Sequence, residues 1–204
     1  LACMVTRFVL PLFPLPELVL LPTVELEVTP GGPLARGALA RARQHQGMMV
    51  VSLYEDEAVH EVGVKALILD ARETSVQLRG LQRCRLRELV PDAVPMVEAE
   101  PFPDTAAAPG REEPLRRLLL RRFARLCLRL QRALPAGLPK TDLSALTWRI
   151  TDALDLETSQ KQGLLNVPDA LTRAKILLLA LRDAERRERF LRPFAHLREG
   201  GQWN

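Results

Sequence analysis

Three observations predict an α+β protein built in two parts, a β-rich half followed by a helical half. From Thr6 to Glu100, short runs of β-branched and other apolar residues are punctuated by Pro and Gly, with one helical interruption. From Arg111 onward apolar residues recur at helical spacing instead. Between the two, PFPDTAAAPG (residues 101–110) has two prolines among its first three residues and no periodicity, which marks a boundary. The expected domains are therefore 1–104 and 105–204. With 47% of its 204 residues apolar, the chain can bury a substantial core.

In the first half the strand candidates are Phe8–Leu12, Val24–Val28, Met48–Tyr54, Val62–Leu69, Ser75–Leu81, Cys84–Leu89 and Met96–Ala99. Residues 70–74 form a polar break that suggests a hairpin. PLARGALARARQHQ, residues 33–46, reads as a helix, with Pro in its first turn and Gly47 where a C-terminal cap belongs. In the second half the expected helices are Arg111–Leu134, one capped by Thr141 or Asp142 and running to about Leu154, Leu156–Leu165, and a long last helix with Pro168 in its first turn. That helix is expected to run to about Leu191 before Pro193. Ile176–Leu181 is apolar all round, so it is placed at the centre of the bundle.

Charge divides the halves more sharply than the net +4 suggests. Residues 1–104 hold 10 Lys+Arg against 14 Asp+Glu, a balance of −4, and residues 105–204 hold 19 against 11, a balance of +8. Arg111–Leu134 alone carries eight arginines and two glutamates, with Arg117, Arg121, Arg125, Arg129 and Arg132 opposite the apolar stripe. Such a local face suits solvation or docking on a partner, and does not make a chain-wide nucleic-acid signature.

Several chemistries lack their residues. There is no phosphate-cradling G-x-x-x-x-G-K-[ST] and no G-x-G-x-x-G before a helix. None of the four serines sits in a G-x-S-x-G elbow. His45, His60 and His196 are scattered, and Cys3, Cys84 and Cys127 have neither metal-ligand spacing nor an even count, so they read as buried or idle thiols. Glu55 and Glu57 fit a solvated loop after a strand better than an acid/base pair. The expectation is no enzyme, no metal, no cofactor and, from the short apolar runs, no membrane span or signal segment. A cytoplasmic location follows as an expectation.

Two stretches carry a resemblance: LPLFPLPELVLLP (Leu10–Pro22) and GLQRCRL (Gly80–Leu86). With MMVVSLYEDE and Val62-Gly63-Val64-Lys65-Ala66 between them, their order and spacing resemble the amino-terminal, substrate-binding domain of Lon protease over residues 6–104. The helices, including LLNVPDALTRAKILLLAL, follow that pattern more loosely. Leu1 is not Met, and Met4 is a candidate start. The ATPase and peptidase of the protease have no room in the remaining residues, and GGQWN reads like a finished terminus, so a free-standing member is expected. The resemblance implies a PUA-like β-barrel followed by a helical bundle. It also implies a role in recognising polypeptide, as a binder of unfolded protein or an adaptor in proteolysis, with oligomerisation open.

Residue by residue, Gly63 and Gly80 are expected where backbones approach closely or a strand bends. Phe13, Leu15, Tyr54 and Arg83 are the candidate peptide contacts, although an arginine within a strand more often makes an intramolecular pair. Arg117, Arg121, Arg125 and Arg129 form the candidate docking face, and a binding cleft is expected where the lobes meet. The alternative is RNA binding by the PUA-like barrel with those arginines on phosphates. Against it, the β half is acidic, Tyr54 is its only tyrosine, and basic residues do not interleave with aromatics.

Overall fold

The structure, a computed structural model, describes residues 6–72, 74–106 and 110–192. Cys3, Met4, Pro193, His196 and the GGQWN terminus lie outside the described residues. The chain divides into a β unit, residues 1–105 with 151–168, and a helical unit, residues 106–150 with 169–204. The segment 151–168, expected with the helices, thus groups with the strands.

In the β unit the strands are β1 (Phe8–Pro16), β2 (Glu25–Val28), β3 (Met48–Glu55), β4 (Ala58–Val59), β5 (Val62–Ala71), β6 (Val76–Val90) and β7 (Met96–Pro101). They run in the order β1-β7-β6-β5-β3-β4, and a further β1–β3 pairing closes the ring. The β1–β3 pair is parallel and the other pairs are antiparallel. Closure follows from a change of partner within β1: Phe8–Pro11 pairs with β7 and Leu12–Pro16 with β3. The strand therefore runs beyond the expected end at Leu12. Alternate residues send their N–H groups to opposite edges, so Pro14 and Pro16 are tolerated where β7 no longer pairs.

The two strands expected at 75–81 and 84–89 are one strand of fifteen residues. Its register shifts opposite Lys65 and Ala66, leaving Leu81 as the extra residue of a bulge that bends the strand without ending it. Here β6 also exchanges β2 for β7 as a neighbour. Gly80 makes this possible: a Cβ there would lie 2.1 Å from the Leu21 carbonyl oxygen, and its backbone exchanges hydrogen bonds with Thr23 and Val24. At Gly63 a Cβ would stand 2.6 Å from the Val51 carbonyl oxygen. Both glycines are where backbones meet.

Helix α1 (Gly32–Gln44) buries Ala35, Ala38 and Ala42, and its chain turns out through Gln46 and Gly47, both left-handed. The core inside the barrel is aliphatic, with Leu10, Leu12, Val50, Cys84, Val97 and Ala99 in one cluster.

The helical unit contains α2 (Glu112–Arg129), α5 (Ala170–Leu191) and most of α3 (Leu143–Ala153), while α4 (Thr158–Asn166) belongs to the β unit. Helix α2 stops five residues before the expected Leu134. Gln131, at φ 54°, donates to the Leu128 carbonyl and Arg132 to that of Cys127, a C-terminal cap with glutamine in the usual glycine position. Asp142 caps α3 by accepting from Ala145 N–H at 2.7 Å. Asp169 caps α5, accepting from Thr172 N–H, so Pro168 precedes the helix instead of lying in its first turn.

One expectation fails in packing. Leu177 and Leu181 of α5 are fully buried, but Ile176 is 40% and Leu179 58% exposed. Its neighbours cover one stripe and leave the other side of the apolar run in solvent. Among the described residues no helix is long and apolar enough to cross a membrane.

Candidate functional site

At one end of the β unit, β1 and β3 finish side by side. Their register pairs Phe13 with Val51, Leu15 with Leu53 and Pro16 with Tyr54, and β4 then sets Val59 opposite Tyr54. Successive residues of a strand face opposite ways, so Phe13 and Leu15 lie on one face and Pro14 and Pro16 on the other. Phe13 and Leu15 are buried, part of the core and not available to a ligand. Tyr54 is 42% exposed, Pro16 is exposed and Leu18, two residues on, is 47% exposed. Pro16, Tyr54 and Val59 thus share a face, with Leu18 beside it in sequence. Sequence reasoning missed Pro16 and Leu18 by taking the large residues of LPLFPLPEL as the contacts. Residues 10–16 are apolar at both parities, so no alternation in the sequence marks which of them end exposed.

The turn that joins β3 to β4 has Asp56 and Glu57 at φ 49° and 64°, the hairpin geometry that both central residues must enter with positive φ. Residues expected as a plain loop therefore form a tight hairpin, and it presents Glu55, Asp56 and Glu57 to solvent. His60 Nε2 lies 3.4 Å from Glu55 Oε2. Behind the hairpin, the buried Ser52 hydroxyl donates to the His60 carbonyl at 2.8 Å. The start of α4 is fixed at the same end of the unit, since Thr158 donates to the Glu17 carbonyl at 2.7 Å and Glu157 forms a capping box with Gln160.

Arg83 lies elsewhere in the β unit, in the middle of β6. The residue is 4% exposed. Nη1 donates to the carbonyls of Leu165 (2.8 Å) and Val167 (2.6 Å), Nη2 to the Asp104 carboxylate, and the guanidinium stacks on Phe102 at 4.5 Å. A helix end has carbonyls without intrahelical partners, and Arg83 satisfies those of α4. Gln162 adds a second fastening, donating to the Val62 carbonyl at 3.0 Å. Arg83 is thus the intramolecular pair, with its fork committed inside the fold.

On α2, Arg117 pairs with Glu113, which also binds Arg116 and is pulled down to about pKa 2 by those two guanidiniums. Arg121, Arg125 and Arg129 are exposed and make no ion pair among the described residues. The single aromatic of that helix, Phe123, is buried, so the arginine face offers no ring on which a base could stack. In the same unit Arg173 is fully buried, stacked 3.7 Å from Trp148 and donating to the Thr147 hydroxyl.

Burial pushes the Cys84 thiol up to about 12, far from a reactive thiolate. Among the described residues no three of His, Cys, Asp and Glu gather in a way that could hold a metal ion.

Residues 9–183 match the sequence profile of the ATP-dependent protease La (LON) substrate-binding domain. Among solved structures, the N-terminal domain of Mycobacterium avium complex Lon protease superposes with a TM-score of 0.70 at 23% identity, covering 86% of this chain and 99% of that one. The Lon N-terminal domain protein from Xanthomonas campestris gives 0.60, again at 23% identity, over 84% and 98%. No curated protein matches the sequence.

Proposed function

Because the chain belongs to the family of Lon substrate-binding domains, we propose that it is a non-catalytic recognition module that holds unfolded segments of polypeptide. The observation that supports this reading is the pair of exposed residues Pro16 and Tyr54, side by side at the end of an otherwise well-buried barrel, with the exposed Leu18 adjoining in sequence and the partly buried Val59 opposite Tyr54. Apolar side chains of a client would be removed from water there, each gaining roughly 25 cal/mol for every Å² covered. A tyrosine suits such a surface, since its ring supplies area at small entropic cost and its hydroxyl can stay wet. Whether the module hands clients to a separate protease as an adaptor or only retains them is a second step on the same surface.

The test is a titration of the full chain with a reduced and alkylated, permanently unfolded protein, against the same protein in its folded form. Binding of the unfolded form alone is expected, weakened about tenfold, or ~1.4 kcal/mol, by Leu18→Ser together with Tyr54→Ser. No binding at high micromolar concentration, or binding indifferent to both substitutions, would remove the reading.

A further inference from the structure

Helix α5 carries a second apolar stripe on the side away from the one it buries. Ala174, Leu177 and Leu181 are turned inward, whereas Ile176, Leu179 and Phe190 are 40%, 58% and 73% exposed. Thr172, Ile176, Leu179, Asp183, Arg186 and Phe190 recur at alternate steps of four and three residues, all of them exposed. This is the heptad spacing of a seam on which a second helix packs, with Ile and Phe at one of its two positions and Leu at the other. At its middle Asp183 and Arg186 lie 3.7 Å apart as an ion pair within the helix.

The residues that flank the seam are Lys175, Arg182 and Arg189 on one side and Ala180 and Arg187 on the other. The four cations are exposed and make no ion pair among the described residues. Glu185 and Glu188, the other acids of α5, are half-buried on its inner side and do not line the seam.

We propose that this face of α5 docks an amphipathic helix of a partner protein, aliphatic along its own seam and acidic at the flanking positions. The flanks choose the occupant, because residues beside a helix–helix seam meet those of the facing helix and set which partner is accepted. A second copy of α5 would bring Arg182 against Arg187 in a parallel pair and against Arg189 in an antiparallel one, like charge in either direction. A basic partner is refused for the same reason, whereas Asp or Glu meets four cations that the fold leaves unanswered. The surface belongs to the helical unit and the Pro16–Tyr54 pair to the β unit, so either reading can fail without the other.

Three fluorescent three-heptad peptides are titrated against the full chain: an Ile/Leu seam with Glu flanks, the same seam with Lys flanks, and Glu flanks with serine along the seam. At low salt the first should bind about tenfold more tightly than either of the others, and its lead over the second should fall below about twofold at 1 M, where charges more than ~3 Å apart are screened. Ile176→Ser with Leu179→Ser, both on the exposed side of the helix, should weaken the first peptide about tenfold. Arg182→Gln, Arg187→Gln and Arg189→Gln together should remove its lead over the Lys-flanked peptide. The control Arg121→Gln, Arg125→Gln and Arg129→Gln takes the same charge from α2 and should leave that lead intact. Equal binding of the two aliphatic peptides overturns the acidic partner, and equally tight binding of the serine peptide overturns the docking seam. A lead lost to the same extent in the α2 control overturns the assignment to α5. A chain that sediments as a dimer, and as a monomer once Leu179→Ser is introduced, makes a second copy the occupant and overturns the proposal as well.

Discussion

Strand β6 and helix α2 are both rich in arginine and dispose of the charge in opposite ways. On β6, Arg79 meets Glu25, Arg83 meets the end of α4 with Asp104, Arg85 lies against the Phe102 ring and Arg87 meets Glu100. On α2, Glu113 holds Arg116 and Arg117, and Arg121, Arg125 and Arg129 then point into water. A strand inside a sheet has neighbours on both edges and a packed face, so a long cationic side chain finds partners distant in sequence. The outer face of a helix has only its own i±3 and i±4 neighbours, and after the first turn α2 supplies no acids there. The same residue type is a structural fastener in one region and a solvated charge in the other. Arg173 is the instructive exception within the helical unit, buried because it leaves the inner side of its helix and stacks on Trp148.

The largest effect that this contrast predicts is at Arg83. Arg83→Ala removes the guanidinium that pairs with Asp104 and donates to the Leu165 and Val167 carbonyls, so a loss of about 3–5 kcal/mol is expected. Urea denaturation of the β unit measures it. Hydrogen exchange adds a local readout, with the amides of 162–168 losing protection before the barrel strands do. A loss under ~1 kcal/mol would erase the distinction between β6 and α2.

How much of this was legible in the sequence depends on how local the cause is. The fold class, the helix at α1, and the close backbone approaches at Gly63 and Gly80 follow from composition, caps and the Lon resemblance, all readable along the chain. The bulge at Leu81 was not readable, because the loss of alternation around Gly80 looks the same in a bulged strand and in two strands with a break. Similarly, α2 was overrun because its cap uses Gln131 in the left-handed conformation, and glutamine sends no stop signal. Of the candidate contacts Tyr54 is exposed, but Phe13 and Leu15 are buried, on the face of β1 opposite Leu10 and Leu12 of the barrel cluster, so both faces of the strand are covered there. The partners of Arg83 lie over eighty residues away at Leu165 and Val167, so no window of sequence could show which carbonyls it would hold. The exposure of Leu179 likewise depends on which neighbours arrive, and an apolar run cannot count them.

A second prediction sharpens the contrast from the other side. Arg121→Glu with Arg125→Glu should leave the denaturation midpoint within about 0.5 kcal/mol of the original, since exposed and unpaired charges contribute little. If the same double reversal changes the sedimentation of the chain or abolishes client binding, the α2 face is a docking surface and the comparison with β6 has to be redrawn between two kinds of partner.

The smallest expected effect is at the one place where α2 does answer its arginines. The side-chain hydrogen bonds from Arg116 and Arg117 hold the Glu113 carboxyl at about pKa 2, below its ordinary value of 4.5. For a carboxyl depressed in the folded state, the stabilising contribution is full above the unfolded pKa and declines as pH falls through the window from 4.5 to about 2. Because the group is fully exposed, water and salt screen the interaction, and the informative quantity is the midpoint itself. A carboxyl titration followed by NMR should place Glu113 well below its ordinary value of 4.5. Removing Arg116 and Arg117 together should return the midpoint toward that value; if Glu113 still titrates low, the helix N-terminus and not the arginines holds it there.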